Sequence, residues 1–261
     1  MVGFKDYNVL KELVGKYHAF KEFVDSYIYD GFMKSSGNGK NLKTFYSHII
    51  QLSETEPGKF SSLIDSIKTD IEQKRSTDIL DYEKLYLDMN EKYGFDIGLI
   101  SILFFNLIKL NKNEAIYTPA GLPHAYVRGN IIECMANSDN VIRAGLTKKF
   151  TDINNLIELI DYETGKPEFV EVRQKGSTRL FITPAEEFNI DQTELNIEEI
   201  FSSENNQPVI LLVTEGSMVM TYDKGLLHLH KGMSVFIPAA VKYYKLNCKK
   251  KCEFFRAGIK L

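Results

Sequence analysis

Apolar residues recur at three- and four-residue intervals up to about residue 93. The two clearest runs are Val9, Leu10, Leu13, Val14 and Tyr17, and Phe60, Leu63, Ile64, Ile67 and Ile71. This spacing places apolar side chains on one face of a helix. Asp6, Asn41 and the Glu56-Pro57 pair have the chemistry of helix starts. Residues 35–39 are rich in Ser and Gly and predict a flexible connection. We therefore predict four or five helices in this region.

From Leu103 onward the pattern changes to short apolar runs separated by Asn, Gly and Pro. These runs are residues 107–110, 115–117, 209–213, 217–222, 234–237 and 252–256. Such runs predict strands, and strands at this spacing are typical of a jelly roll or barrel. One helical segment interrupts them at residues 151–159, with Asp152 near its start. Turn-forming residues at 164–167 indicate a boundary after it.

The composition indicates a globular chain whose main partner is a small molecule. Of its 261 residues, 44% are hydrophobic, which is enough for a buried core. Lysine plus arginine (32) nearly balances aspartate plus glutamate (35), so the charge predicts neither nucleic acid nor a membrane as partner. The first residues lack a signal-peptide pattern, and no later stretch reaches the roughly 18 apolar residues that span a bilayer. We expect a soluble, cytoplasmic protein.

Three cysteines, Cys134, Cys248 and Cys252, form an odd count without metal-ligand spacing. That count fits a reducing compartment. We expect Cys248 and Cys252 to be ordinary strand residues.

Residues 113–124 combine a strand, a turn and a histidine at a characteristic spacing. The stretch Asn-Glu-Ala-Ile-Tyr-Thr-Pro-Ala-Gly-Leu-Pro-His follows the second cupin motif, Gly-x5-Pro-x-Gly-x2-His, with Asn113 in place of the first glycine. Gly121 permits a tight turn, and the next strand would aim the His124 imidazole into a barrel, where a neutral ring nitrogen suits zinc. A lone histidine in a turn or a packed core is the alternative reading.

The residues that follow this motif resemble the signature of type I mannose-6-phosphate isomerases. The resemblance rests on residues 124–126, 132–147 and 149–150, and it extends to residues 3–5, 96–98, 106–107 and 152–153. It implies an α+β fold with a helical insertion domain and β jelly-roll, cupin-like units. The implied domains are a helical domain at 1–102, the second half of the catalytic jelly roll with a short helix at 103–165, and a C-terminal cupin-like β domain at 166–261.

The resemblance also implies one zinc ion, held in the family by a Gln-x-His pair, a glutamate and a later histidine. Only the last of these has a match, His124, and the others would lie before Gly3. His228 and His230 share one face of a predicted strand and could chelate a metal. A solvated strand face is the alternative for this pair, because no carboxylate follows at cupin spacing.

Five further residues match the family's active-site positions. Arg143 corresponds to the catalytic arginine, whose guanidinium suits an enediolate or a phosphate. An ion pair with Asp139 or Glu133 is the structural alternative for Arg143. The resemblance assigns Tyr126, Glu133, Asp139 and Lys149 to substrate binding, and an exposed lysine at a helix start is the alternative for Lys149. Glu133 or Asp139 could relay protons if burial raised its pKa.

The resemblance implies interconversion of mannose 6-phosphate and fructose 6-phosphate, within the carbohydrate metabolism that leads to GDP-mannose. We expect the chain to lack the family's N-terminal segment and to be inactive alone. The alternative is a non-catalytic cupin-like protein that binds a sugar phosphate or a protein. Half a jelly roll would leave open strand edges, so we also expect a homodimer or a domain swap.

Overall fold

The computed structural model describes residues 1–37, 39–138 and 140–259, which divide into two compact units. The first unit contains the described residues of 1–110, 118–129 and 140–167, and the second those of 111–117, 130–139 and 168–261. All eight α-helices among the described residues lie in the first unit, and ten of the twelve strands lie in the second. The α+β class expected from the sequence is confirmed. The proposed domain boundaries stay a prediction.

The first unit begins with strand β1 (Val2–Phe4), which pairs antiparallel with β2 (Phe105–Asn106). Its helices are α1 (Tyr7–Lys16), α2 (His18–Phe23), α3 (Ser26–Lys34), α4 (Gly39–Thr55), α5 (Pro57–Glu72), α6 (Asp81–Tyr93), α7 (Gly98–Phe104) and α8 (Ile153–Leu159). A short 3-10 helix at Ser76–Asp78 precedes α6. Among the described residues, none of the helices is both long and apolar enough to cross a bilayer.

The predicted helix starts are mostly confirmed. The Asp6 side chain caps α1 by accepting the Asn8 N–H at 2.9 Å, and Glu56 and Pro57 begin α5. The Asn41 prediction is wrong, because α4 already begins at Gly39. Asp152 caps α8 as expected, accepting the Asn155 N–H at 3.1 Å.

The first helical stretch is divided more finely than the periodicity predicts. Six α-helices, rather than four or five, form among the described residues up to Tyr93, because Tyr17 and Val24 have extended backbones that end α1 and α2. Tyr17 is completely buried, and its hydroxyl donates to Glu83 at 2.5 Å. A tertiary contact of this kind overrides the local preference for one continuous helix.

Aromatic side chains form the centre of the first unit. Phe4 is completely buried, and its ring centroid lies 4.9 Å from that of Phe105, 5.1 Å from that of Tyr46 and 5.5 Å from that of Tyr162. Edge and stacked pairs at such distances add to the free energy of apolar burial. This cluster joins β1, β2 and α4 to the segment that follows α8.

The strands expected at residues 107–110 and 115–117 do not form. The described residues between β2 and α8 contain only isolated bridges, such as His124 with Val2 and Ile116 with Phe169. A strand forms only beside another strand that completes its backbone hydrogen bonds. The pattern of apolar residues within one segment does not show whether such a partner strand is present. The expected homodimer or domain swap through open edges stays a prediction.

The second unit consists of two antiparallel sheets. Its strands are β3 (Glu171–Lys175), β4 (Thr178–Ile182), β5 (Asn189–Leu195), β6 (Ile200–Glu204), β7 (Val209–Glu215), β8 (Ser217–Tyr222), β9 (Gly225–His230), β10 (Ser234–Ile237), β11 (Tyr243–Cys248) and β12 (Cys252–Gly258). Six strands pair in the order β10-β7-β12-β5-β4-β3, and four pair in the order β6-β11-β8-β9. Buried residues of both sheets, such as Phe254 and Leu246, form one core. The four later predicted strands are confirmed as β7, β8, β10 and β12.

Candidate functional site

A tight turn positions His124. Gly121 has a φ of +81°, and a Cβ atom there would lie 3.0 Å from the Leu159 carbonyl oxygen. The Gly121 carbonyl accepts the Asp161 N–H at 2.8 Å, which fixes the turn against the segment after α8. Beyond the turn, His124 forms an antiparallel bridge with Val2. The expectation that Gly121 permits a tight turn is confirmed.

The imidazole of His124 is exposed, and its Nδ1 lies 3.0 Å from the carbonyl oxygen of Leu122. Because a carbonyl oxygen only accepts, Nδ1 carries the proton and the lone pair of the neutral ring is on Nε2. A backbone carbonyl in this position is typical of histidines that bind a metal. The Tyr126 ring centroid lies 6.0 Å from the His124 ring centroid, so the structure brings these two predicted site residues together.

The half-buried carboxylate of Asp96 fixes the loop that carries Arg143 and Lys149. Asp96 Oδ1 accepts the backbone N–H of Gly98 and that of Leu146, each at 2.7 Å. Gly145 has a φ of +101°, and a Cβ atom there would lie 2.4 Å from the same Asp96 oxygen. Glycine is therefore required at position 145.

The remaining predicted site residues differ in exposure and in the unit they occupy. In the first unit Arg143 is half-buried and Lys149 is exposed. Glu133 is exposed and belongs to the second unit. Asp139 lies outside the described residues. The catalytic and binding roles of these side chains stay predictions.

Comparisons with known proteins point to one family along the whole chain. The family model for the cupin domain of mannose-6-phosphate isomerase matches residues 177–257. Mannose-6-phosphate isomerase of Schizosaccharomyces pombe is 33% identical over 255 residues, which cover 92% of this chain and 62% of that protein. Mannose-6-phosphate isomerase 1 of Arabidopsis thaliana is 36% identical over 190 residues, covering 72% of this chain and 44% of that protein.

The fold agrees with this sequence similarity. Mannose 6-phosphate isomerase of Salmonella typhimurium, in a crystal structure with fructose 6-phosphate and zinc, has a TM-score of 0.84 and 26% identity to this chain. The match covers 100% of this chain and 63% of the Salmonella chain. The chain belongs to the mannose-6-phosphate isomerase family. It spans about two fifths to two thirds of the length of the family members it matches.

The described residues do not complete the zinc site of a mannose-6-phosphate isomerase. Three protein ligands are the minimum usual for a catalytic zinc. His124 presents one ring nitrogen, but no group of three or more His, Cys, Asp or Glu side chains that could hold a metal occurs among the described residues. Zinc therefore does not fit the described residues alone.

The His228 and His230 pair lies on β9, in the family's cupin domain. Both side chains are exposed, and His230 Nδ1 lies 3.2 Å from the Lys231 carbonyl oxygen. No third ligand joins them among the residues the structure describes. A solvated strand face explains this pair.

Sequence analysis assigned no role to two residues whose side chains hold together segments around the candidate site. Asp96 anchors the loop of Arg143, and the Asn106 side-chain amide donates to the carbonyl oxygens of Phe4 at 3.0 Å and Gly165 at 2.7 Å. Both lie in segments that resemble the mannose-6-phosphate isomerase family. That resemblance marked the positions, but their hydrogen-bond partners are distant in sequence and only the fold reveals them.

Proposed function

We propose that the chain is part of an isomerase that interconverts mannose 6-phosphate and fructose 6-phosphate. The observation that carries the proposal is the similarity of the whole fold to the Salmonella enzyme with fructose 6-phosphate and zinc. Two geometric features also support the proposal: the exposed imidazole of His124 and the anchored loop that carries Arg143.

The reaction moves a proton between adjacent carbons through a cis-enediol. It requires a base, a cation beside the developing oxyanion and an anchor for the phosphate. In the proposal, the half-buried Arg143 guanidinium stabilises the enediolate charge, and Lys149 attracts the phosphate. Tyr126, Glu133 and Asp139 contribute to the substrate pocket.

We propose His124 as one ligand of a zinc ion, bound through Nε2. Because the described residues supply no complete metal site, the other ligands would come from additional polypeptide. The 261-residue chain alone is then expected to bind zinc weakly and to leave mannose 6-phosphate unchanged.

The first test is the zinc content of the purified chain, measured by inductively coupled plasma mass spectrometry. His124→Ala is the test variant, and His228→Ala is the control for surface histidines. We expect substoichiometric zinc in all three proteins and no isomerase activity. Zinc near one equivalent that His124→Ala removes, together with turnover, would show that the chain completes the site.

A second experiment combines this chain with the remaining sequence of a relative. The part of the Schizosaccharomyces pombe enzyme that lies outside the matched region is added as a separate chain or fused to this one. If activity appears and Arg143→Ala abolishes it, the result supports the isomerase proposal.

A non-catalytic sugar-phosphate or protein-binding protein is the second candidate, because the described residues lack a metal group. Fructose 6-phosphate binding without turnover after restoration would favour that candidate.

A further inference from the structure

Two of the three cysteines meet inside the second unit. Cys248 is the last residue of β11 and Cys252 is the first residue of β12, and both are buried, with 2% and 0% of their surface exposed. β11 belongs to the four-stranded sheet and β12 to the six-stranded sheet. The three residues between the cysteines therefore carry the chain from one sheet to the other, with both side chains in the shared core.

The Cys248 thiol contacts the backbone of the residue that lies opposite Cys252. The Cys248 thiol donates to the carbonyl oxygen of Asn196 at 3.2 Å, and it lies 3.8 Å from that of Leu195. Leu195 is the residue directly opposite Cys252 in the pairing of β5 with β12. Both cysteines belong to the same buried core cluster.

The connection between the cysteines is fixed at one point and exposed elsewhere. Gly216, at the turn between β7 and β8, packs so closely that a Cβ atom there would lie 2.3 Å from the Lys251 carbonyl oxygen and 3.0 Å from Cys252 Cα. Lys249, Lys250 and Lys251 are all exposed. Opening this lysine connection would expose the thiols in a positively charged environment, which favours a thiolate.

We propose that Cys248 and Cys252 form a reversible intramolecular disulfide when a low-molecular-weight disulfide such as glutathione disulfide acts as oxidant. One thiolate attacks a sulfur of the oxidant and displaces one glutathione thiolate. The second protein thiol then attacks the mixed disulfide and displaces the other glutathione. The two protein thiols are oxidised to one disulfide, and one glutathione disulfide is reduced to two glutathione molecules that carry the two protons.

Burial controls the rate of this exchange. Burial raises the pKa of the Cys252 thiol, and the neighbouring Cys248 raises that pKa further. The reactive thiolate is therefore scarce while the connection is closed. The reaction requires the two buried sulfurs, which belong to one core cluster, to approach to a bond length of about 2.05 Å.

The test is peptide mapping of the folded chain after incubation with glutathione disulfide and alkylation of the remaining thiols. Trypsin cleaves after each of the three lysines, so the Cys248 and Cys252 peptides stay together only if a disulfide joins them. We expect this linked pair, a loss of two hydrogen atoms from the intact mass, and separation of the peptides by dithiothreitol.

Controls distinguish this disulfide from unspecific oxidation. Cys134→Ser should retain the linked pair in full, and Cys252→Ser should lose it and stop at a mixed disulfide on Cys248 or at no reaction. The wild-type map decides the matter even if Cys252→Ser fails to fold. Oxidation confined to Cys134, or alkylation of both Cys248 and Cys252 after prolonged incubation, would overturn the proposal.

Discussion

Asp96 Oδ1 accepts the backbone N–H of Leu146 at 2.7 Å, although fifty residues separate the two in sequence. The same oxygen accepts the Gly98 N–H at the start of α7. One carboxylate thus joins a helix start to the loop that carries Arg143. Hydrogen bonds to a charged acceptor are stronger than neutral ones, so this contact holds the loop more firmly than backbone pairing alone.

Asp96→Ala should release this loop. Losing two charge-assisted hydrogen bonds is expected to cost about 2 kcal/mol in the free energy of unfolding. Urea denaturation followed by circular dichroism gives that value, and hydrogen exchange of the Leu146 amide reports the loop. Asp96→Asn keeps an acceptor oxygen and should lose less than half as much. Unchanged protection of Leu146 in Asp96→Ala would contradict the anchoring role.

Glu83 should make the first unit sensitive to acid. Its side chain is completely buried, and burial alone would raise its pKa. Hydrogen bonds from Lys16, Lys74, Tyr17 and the Leu80 N–H outweigh burial and lower the pKa from 4.5 to about 2. Because the folded state holds the proton less tightly than the unfolded chain, Glu83 stabilises the fold above its ordinary pKa. That stabilisation falls progressively as the pH decreases from about 4.5 to about 2.

The measurement is the free energy of unfolding as a function of pH, with Glu83→Gln as the variant. At neutral pH the variant should be less stable by roughly 3 kcal/mol, because two lysines lose their buried partner. Its stability should also fall less steeply between about pH 4.5 and about pH 2. Lys34→Met, which breaks an exposed ion pair with Asp30, should change stability by less than about 1 kcal/mol. Equal acid sensitivity in wild type and Glu83→Gln would exclude Glu83 as the cause.

The sequence predicted those parts of the fold that depend on neighbouring residues. Asp6 and Pro57 were found as helix starts because a cap acts within one turn. The extended backbone at Tyr17 was missed because the partners of this buried side chain, such as Glu83, lie far along the chain. The strands expected at 107–110 and 115–117 were wrong because strand formation depends on a partner strand, which apolar periodicity does not report.

In the candidate site, too, local features could be predicted from the sequence and long-range contacts could not. The motif spacing predicted the tight turn at Gly121, because a turn follows from local backbone geometry, and the role of His124 stays a prediction. It could not identify Asp96 as the anchor of residues 145 and 146, since that contact exists only after folding.

Gly121→Ala should disturb the position of His124. The substitution combines an unfavourable positive φ with a close approach of 3.0 Å to the Leu159 carbonyl oxygen. We expect a loss of about 2 kcal/mol in the free energy of unfolding and a shift of the His124 ring resonances in NMR spectra. Gly129→Ala is the matched control, because Gly129 also has a positive φ of +115° but no atom lies within 4 Å of its added Cβ. Equal effects of both substitutions would show that backbone strain, rather than the contact with Leu159, determines the result.

Lys5 should make the stability of the first unit depend on pH in the alkaline range. Burial lowers the pKa of Lys5 from 10.5 to about 8, while its ammonium donates to the Leu103 carbonyl oxygen and lies 4.7 Å from the Tyr82 ring centroid. Between these two pKa values the unfolded chain binds a proton that the folded chain has released, so the contribution of Lys5 to stability rises with pH. Wild type should therefore gain about 2 kcal/mol relative to Lys5→Met between about pH 7.5 and about pH 9.5. Urea denaturation at both pH values measures the difference, and Lys21→Met, at an exposed position, is the control. A constant difference between wild type and Lys5→Met across this range would mean that Lys5 stays charged in the fold.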